Sequence, residues 1–350
     1  MRSNHLLIPL LIIIALPVFA QQTDMSMIPY RKGNLWGYAS PDKTMLITPA
    51  YEQVNFFYEG YASVKKGSKF GYINKEGKVV IPFNYYTAKP FRFGYVDNGA
   101  NRKSDTVLFA GASLRQDGYE ICITTNGTTM PKCPAIKENS VAEDKLTNLN
   151  TYEKVYSNIV ANGNVYDKIV DDYKMNGGDD TYYIAMKNNI MGILNNKFEV
   201  VVPFEYSTLK KLGNSKGDLL LTEKNNLSGI LNTSGSVYLP VENNRVSFIK
   251  TNGRKEYLVV AKNGIAELKD IQLANVINGN YSDIMYDNEG GFILTGTNKL
   301  QGYYFTATGK LVTAKFSNIK QMIGGEYIIA SNQAGRSGYI NSNGTEFFED

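Results

Sequence analysis

The chain has little of what most catalytic and metal sites are made of. Of its 350 residues one is histidine, two are cysteine and one is tryptophan. The histidine, His5, stands in the N-terminal apolar stretch, so a form processed after residue 20 contains none. A Ser-His-Asp or Cys-His arrangement, a histidine general base and a His-ligated zinc are thereby excluded from that form. No Walker loop, dinucleotide fingerprint or Gly-x-Ser-x-Gly elbow stands out. No catalytic residue, no metal and no cofactor is therefore expected. Clusters of one charge are missing too. Loss of Arg2 leaves 36 Lys and Arg against 33 Asp and Glu, a balance of +3 with the signs interspersed, and nucleic-acid binding gets no support.

Long apolar runs are absent except at the start. Arg2, the stretch from Leu6 to Leu16 and the ending Pro17-Val18-Phe19-Ala20 before Gln21 have the layout of a secretory signal peptide cleaved near Ala20. An uncleaved N-terminal anchor is the alternative. Residue 21 is not cysteine, so no lipid is expected there. No later stretch approaches the ~20 apolar residues of a membrane helix, and no membrane span is expected in the mature chain. Its location is then periplasmic, cell-surface or secreted.

What is abundant is glycine, 32 residues, and tyrosine, 25, with frequent Asn-Gly pairs. This is the composition of short strands joined by tight turns. Gly71-Tyr-Ile-Asn74 recurs as Gly338-Tyr-Ile-Asn341, with variants beginning at Gly37, Gly192, Gly229 and Gly302. The intervals between these glycines are 34, 121, 37, 73 and 36 residues. The interval of 73 holds a worn copy near Asn263-Gly264-Ile265-Ala266, and that of 121 holds degenerate copies and an insertion, for about nine units of about 36 residues in all. Pro82, Pro203 and Pro240 follow their glycine by eleven residues and Pro49 by twelve. Each unit reads as three strands: the Gly-Tyr-Ile-Asn strand, a second strand ended by the proline, and a third leading through a hairpin such as Lys66-Gly67-Ser68 into the next unit.

Gly33-Asn-Leu-Trp36-Gly37-Tyr38, then Ile47-Thr-Pro49-Ala-Tyr51, then Phe57-Tyr-Glu59-Gly60-Tyr-Ala62-Ser-Val64 resembles one whole unit of the WG-containing repeat family. Residues 68 to 96 resemble a second unit and 188 to 350 carry looser ones. Only Trp36 keeps the tryptophan; Phe70, Met191, Ser228, Gln301 and Ser337 hold its place elsewhere. Such a position reads as a buried wedge between units, and the glycine as a place where a side chain is barred. Trp36, Gly37, Gly71, Gly192, Gly229, Gly302 and Gly338 are thus the structural anchors. The expected fold is an all-β array of stacked repeats, curved or superhelical, with a closed β-propeller-like array as the alternative. The expected segments are a signal peptide (1–20), a linker (21–32), repeats 1 and 2 (33–103), a degenerate stretch with the insertion (104–187) and C-terminal repeats (188–350).

Three sets of residues invite a functional reading. Tyr38, Tyr72, Tyr303 and Tyr339, at equivalent positions, would form a binding platform if they lined one exposed face; cross-strand packing is the simpler reading. Asp171-Asp172 with Asp179-Asp180 offer paired carboxylates for glycan hydrolysis or a calcium site, against a plain acidic hairpin. Cys122 and Cys133 flank the turn signal Thr125-Asn126-Gly127-Thr128 and suit one disulfide, provided a bulge or a longer loop brings Cys133 into reach; two separate thiols are the alternative. The function expected is a non-catalytic binding or scaffolding module for an envelope protein or glycan. A carboxylate-dependent hydrolase and a purely structural envelope component are its rivals.

Overall fold

The computed structural model describes residues 23–96, 105–116, 118–136, 159–161, 164–174, 181–323 and 325–350. The described residues are all strand, turn and loop, arranged as a series of small antiparallel sheets. The signal peptide, Asp179 and Asp180 lie outside them. Two units divide the chain: residues 1–140 with Glu349–Asp350, and residues 141–348.

The repeat contains four strands, one more than expected. In the C-terminal unit the sheet of Thr208–Lys211, Leu219–Lys224, Leu227–Asn232 and Val237–Asn243 pairs them in chain order. Two come from one sequence unit and two from the next, so sheets and sequence repeats are out of phase. The hairpin across the repeat boundary is as expected. Asn225 and Asn226 both have positive φ there, as do Asn188 with Asn189 and Asn263 with Gly264, the conformation two-residue hairpins prefer.

The proline does not end the second strand. Pro49, Pro82, Pro203 and Pro240 lie inside strands Met45–Tyr51, Val79–Tyr85, Val200–Tyr206 and Val237–Asn243. Each of these strands is the last of its sheet's order, where a missing N–H is tolerated. Each also bulges. Phe70 pairs with Tyr85 and Tyr72 with Ile81, so Gly71 alone faces Pro82, Phe83 and Asn84. The same offset recurs at Gly37, Gly192, Gly229 and Gly302. After the bulge the chain goes on past a single residue, such as Ser207 or Asn244, into the first strand of the next sheet.

The bulge explains the glycine. A Cβ on Gly71 would sit 2.6 Å from the Ile81 carbonyl oxygen; the corresponding distances are 2.1 Å at Gly37, 2.8 Å at Gly192, 2.6 Å at Gly229 and 2.5 Å at Gly302. Close approach of backbone, and not a special φ, excludes a side chain. At Gly338 the obstacle is the Phe348 ring, 2.1 Å away. Gly264 is not the matching glycine of its unit. It occupies the preceding turn with φ +77°, and Glu267 holds the equivalent position, opposite Val260 as Gly229 is opposite Thr222. There the bulged strand is reduced to a remnant, the bridge of Lys269 with Asn275 and the Val276 N–H bond to Leu268 O, and Ile265–Asp270 pairs with the next strand at Ala266 and Tyr281.

The other letters of the motif are equally local in cause. Tyr38 and Tyr72 donate their hydroxyls to the carbonyls of Asn55 (2.6 Å) and Lys89 (2.8 Å), each seventeen residues on, and rest on Phe57 and Phe91 at 4.8 and 4.9 Å. Ile73, Leu194, Leu231 and Ile340, at the third position, are core residues. Asn74, Asn195, Asn232 and Asn341 accept through Oδ1 the backbone N–H four residues later, at 2.8 to 2.9 Å, closing the turn into the bulged strand. Trp36 is half-buried and stands across from Tyr51; it is a cross-strand partner and not the fully buried wedge expected.

Residues 23–32, expected to be a linker, carry the strands Thr23–Asp24 and Ile28–Lys32, with Met27, Ile28 and Tyr30 buried. Ile28–Lys32 pairs with Leu35–Ala39, and on its other side the place of a preceding strand is taken by Glu349. Gly33 N–H donates to the Glu349 carbonyl at 2.9 Å, the Tyr30 hydroxyl donates to the Glu349 carboxylate at 2.5 Å, and the buried Arg31 guanidinium meets Asp350 at 2.8 Å.

Candidate functional site

The four tyrosines do not make a platform. Tyr38, Tyr72 and Tyr303 are fully buried, and Tyr339 is half-buried. Burial, followed by the neighbouring Asp287 that accepts its proton, holds the Tyr303 phenol far above the usual range. Burial does the same at Tyr72. These side chains are core.

Asp171 and Asp172 are neighbours in the strand Lys168–Lys174. Successive strand residues point to opposite faces, so the two carboxylates do not converge. Asp171 is paired with Lys211 at 3.1 Å, and the same ammonium reaches the Asp172 carbonyl at 2.8 Å. Their expected partners Asp179 and Asp180 lie outside the described residues. Among the described residues no three His, Cys, Asp or Glu side chains group as a metal site.

Cys122 and Cys133 form a disulfide, with Cα atoms 5.2 Å apart. The turn sets Cys122 opposite Met130, one residue farther from Cys133 than a two-residue turn would, and bends at Pro131 and Lys132 bring Cys133 to the bridge. Thr124 N–H bonds Thr128 O while Gly127 N–H bonds Thr124 O, with Gly127 at φ +83°, and Cys122 O then accepts from Met130 N–H at 2.7 Å. Cys122 lies in the strand Ile121–Ile123, which pairs with Ala110 to Ala112.

The exposed apolar surface sits beside this bridge, and the sequence motifs did not point to it. Leu114, Arg115, Gly118, Tyr119 and Ile121 line an open cleft of about 390 Å³ in the N-terminal unit. Tyr119 is 87 % exposed and Leu114 54 %, unusual for an aromatic and a leucine placed side by side. The loop is not loose at its root. The buried Ser113 hydroxyl donates to Arg115 O at 2.7 Å, and Gly118 N–H donates to Arg115 O at 3.2 Å. The far wall is set by Ile121, next to the disulfide. Lys89 and Glu120 form an ion pair beside it. A signal was available in the sequence: Leu114 and Tyr119 flank polar turn residues where neither helix nor strand period would bury them.

No curated protein matches the chain. The model of the WG containing repeat matches twice, at residues 36–70 and 70–97. These spans cover the bulged strand, the proline and the glycine described above in the N-terminal unit, and over residues 36–97 the chain is similar to two repeats of the WG-containing family.

Proposed function

We propose that the protein is an exported, non-catalytic binding or scaffolding module for a protein or glycan of the cell envelope. The observation that carries this reading is the Tyr119 cleft. An exposed tyrosine, leucine and arginine on a loop rooted by Ser113 and a disulfide-anchored strand give a recognition surface with little entropy to lose. The disulfide suits an oxidising compartment. Carboxylates elsewhere serve the fold: Asp171, Glu205, Glu242 and Asp283 are each paired with Lys or Arg, which supports binding over hydrolysis by an acid pair.

The test is affinity capture from envelope extract by the mature chain and by Tyr119→Ala. The expected result is a specific partner whose retention falls roughly tenfold or more in the variant, the worth of one hot-spot aromatic. Equal capture by both proteins, or turnover of a glycan that an Asp substitution abolishes, would overturn the reading. Export is checked separately by N-terminal sequencing of the product outside the cytoplasm. It should begin at Gln21; a product beginning at Met1 would sink the signal-peptide assignment.

A further inference from the structure

A second cleft, in the C-terminal unit, suggests a ligand of defined chemistry. It lies where three turns of the seven-stranded sheet running from Arg245 to Phe316, at residues 251–255, 286–290 and 306–307, meet Gly325 of the following sheet. Its volume is about 210 Å³, below the roughly 300 Å³ at which pockets for drug-sized ligands begin. One small ring fits, and an oligosaccharide does not.

The wall is preorganised. Lys255 Nζ donates to Thr306 O at 2.7 Å, and Thr306 donates from both N–H and hydroxyl to Gly290 O, at 3.0 and 2.7 Å. Asp287 accepts the N–H groups of Glu289, Gly290 and Gly291 and the Tyr303 hydroxyl. Its carboxylate is thus spent on the loop, and Glu289 is the one acid among the lining residues. With Lys255 opposite in sign, the cleft favours neither a polyanion nor a cation. It offers hydrogen-bond donors and acceptors together: the Asn252 amide, the Lys255 ammonium, the Glu289 carboxylate and the Tyr286 phenol.

One of these groups is only half satisfied. The Tyr286 hydroxyl is buried with the Asn252 N–H at its oxygen, and what is missing is an acceptor for the phenolic proton. Buried polar groups are nearly always satisfied, and an exception calls for a reason. Tyr286 is only half-buried as a whole, and it is one of the residues that line the cleft.

We propose that this cleft is a subsite for a single neutral sugar residue, the end of a longer glycan whose remainder stays in solvent. Tyr286 supplies an apolar ring face and donates its proton to a sugar oxygen, while Lys255 and Glu289 serve as donor and acceptor for ring hydroxyls. The proposal rests on the binding-module reading for there being a ligand, but shares no residue with the Tyr119 cleft. The test is ligand-detected NMR on the full mature chain with glucose, galactose and N-acetylglucosamine. At least one should bind, and Tyr286→Phe and Lys255→Gln should each weaken it roughly 3- to 10-fold, the worth of one hydrogen bond. Tyr286→Phe should change the melting temperature little, because it removes a hydroxyl whose proton has no acceptor while taking one contact from the Asn252 N–H. No detectable neutral sugar, equal binding by the variants, or displacement by free amino acids at lower concentration would overturn the subsite. Loss of the subsite with envelope capture intact refutes this proposal alone; sugar binding without any Tyr119-dependent capture refutes the other alone.

Discussion

At the scale of single residues, each letter of Gly-Tyr-Ile-Asn has its own physical cause, and the glycine has the strictest. The bulged strand brings a carbonyl oxygen to 2.6 Å from where a Cβ on Gly71 would stand, and the obstacle is backbone that cannot swing aside. Gly71→Ala should therefore destabilise the N-terminal unit by about 1–3 kcal/mol, as overpacking does. Gly67 is the control. It has φ +64° with nothing within 4 Å of its Cβ position, so Gly67→Asn, a residue that accepts the left-handed region, should cost a few tenths at most. Urea denaturation of the two variants checks the contrast; equal losses would refute it. The sequence told that the glycine persists where the tryptophan does not. It did not tell that tyrosine at the next position is buried, because period-2 alternation leaves the choice of face open, and Tyr38 and Tyr72 took the inner one.

Among elements, the hairpin across the repeat boundary was legible, since Lys66-Gly67-Ser68 and the Asn pairs are explicit turn chemistry. The second strand was misjudged at its end. Proline was expected to stop Lys78-Val-Val-Ile81, whereas on an edge with a bulge beneath it the chain pairs on to Tyr85. The strands that open a sheet were missed, being as short as Thr87–Ala88 and Gln53–Val54, too brief to show a period. The inserted stretch was legible chiefly through its cysteines. The Cys122–Cys133 bridge spans 11 residues, and a loop of that size is worth roughly 2–3 kcal/mol in the chain-entropy account. It ties the three-residue strand Ile121–Ile123, which pairs with Ala110 through Ala112, to the segment at Cys133. Reduction, or a Cys122→Ser/Cys133→Ser double substitution, should speed hydrogen exchange at Ile121 and Ile123 and weaken partner capture through the adjacent Tyr119 cleft. It should leave exchange in the strand Leu227–Asn232 of the other unit unchanged. Uniformly faster exchange in both units would mean that the bridge stabilises more than its own sheet.

For the molecule as a whole, the all-β repeat array was readable from periodicity, but the role of the chain's last residues was not. Glu349 completes the sheet of Ile28–Lys32, a pairing over more than 300 positions that no local pattern encodes. Deleting Glu349–Asp350 leaves the Arg31 guanidinium, only 3 % exposed, without the Asp350 carboxylate. Asp350 is itself 42 % exposed at its side chain, so the loss should be about 1–3 kcal/mol and confined to the N-terminal unit, seen as a lowered first melting transition. Alkali tests both units at once. Burial first, with the Glu349 carboxylate adding to it, raises the Tyr30 phenol from 10.0 to about 12. Burial likewise raises Tyr257 and Tyr327 in the C-terminal unit to about 12. In each case the folded state keeps a proton that the unfolded chain releases near pH 10. Unfolding therefore gains favour with every unit of pH above 10, and the contribution is gone once pH passes about 12. Thermal midpoints of both units should be flat from pH 7 to 9 and fall together between 10 and 12. Tyr30→Phe cannot ionise and removes only the first unit's share, so its N-terminal transition should fall less steeply over that window while the C-terminal one falls as before. An unchanged slope in that variant would show that the alkaline loss arises elsewhere.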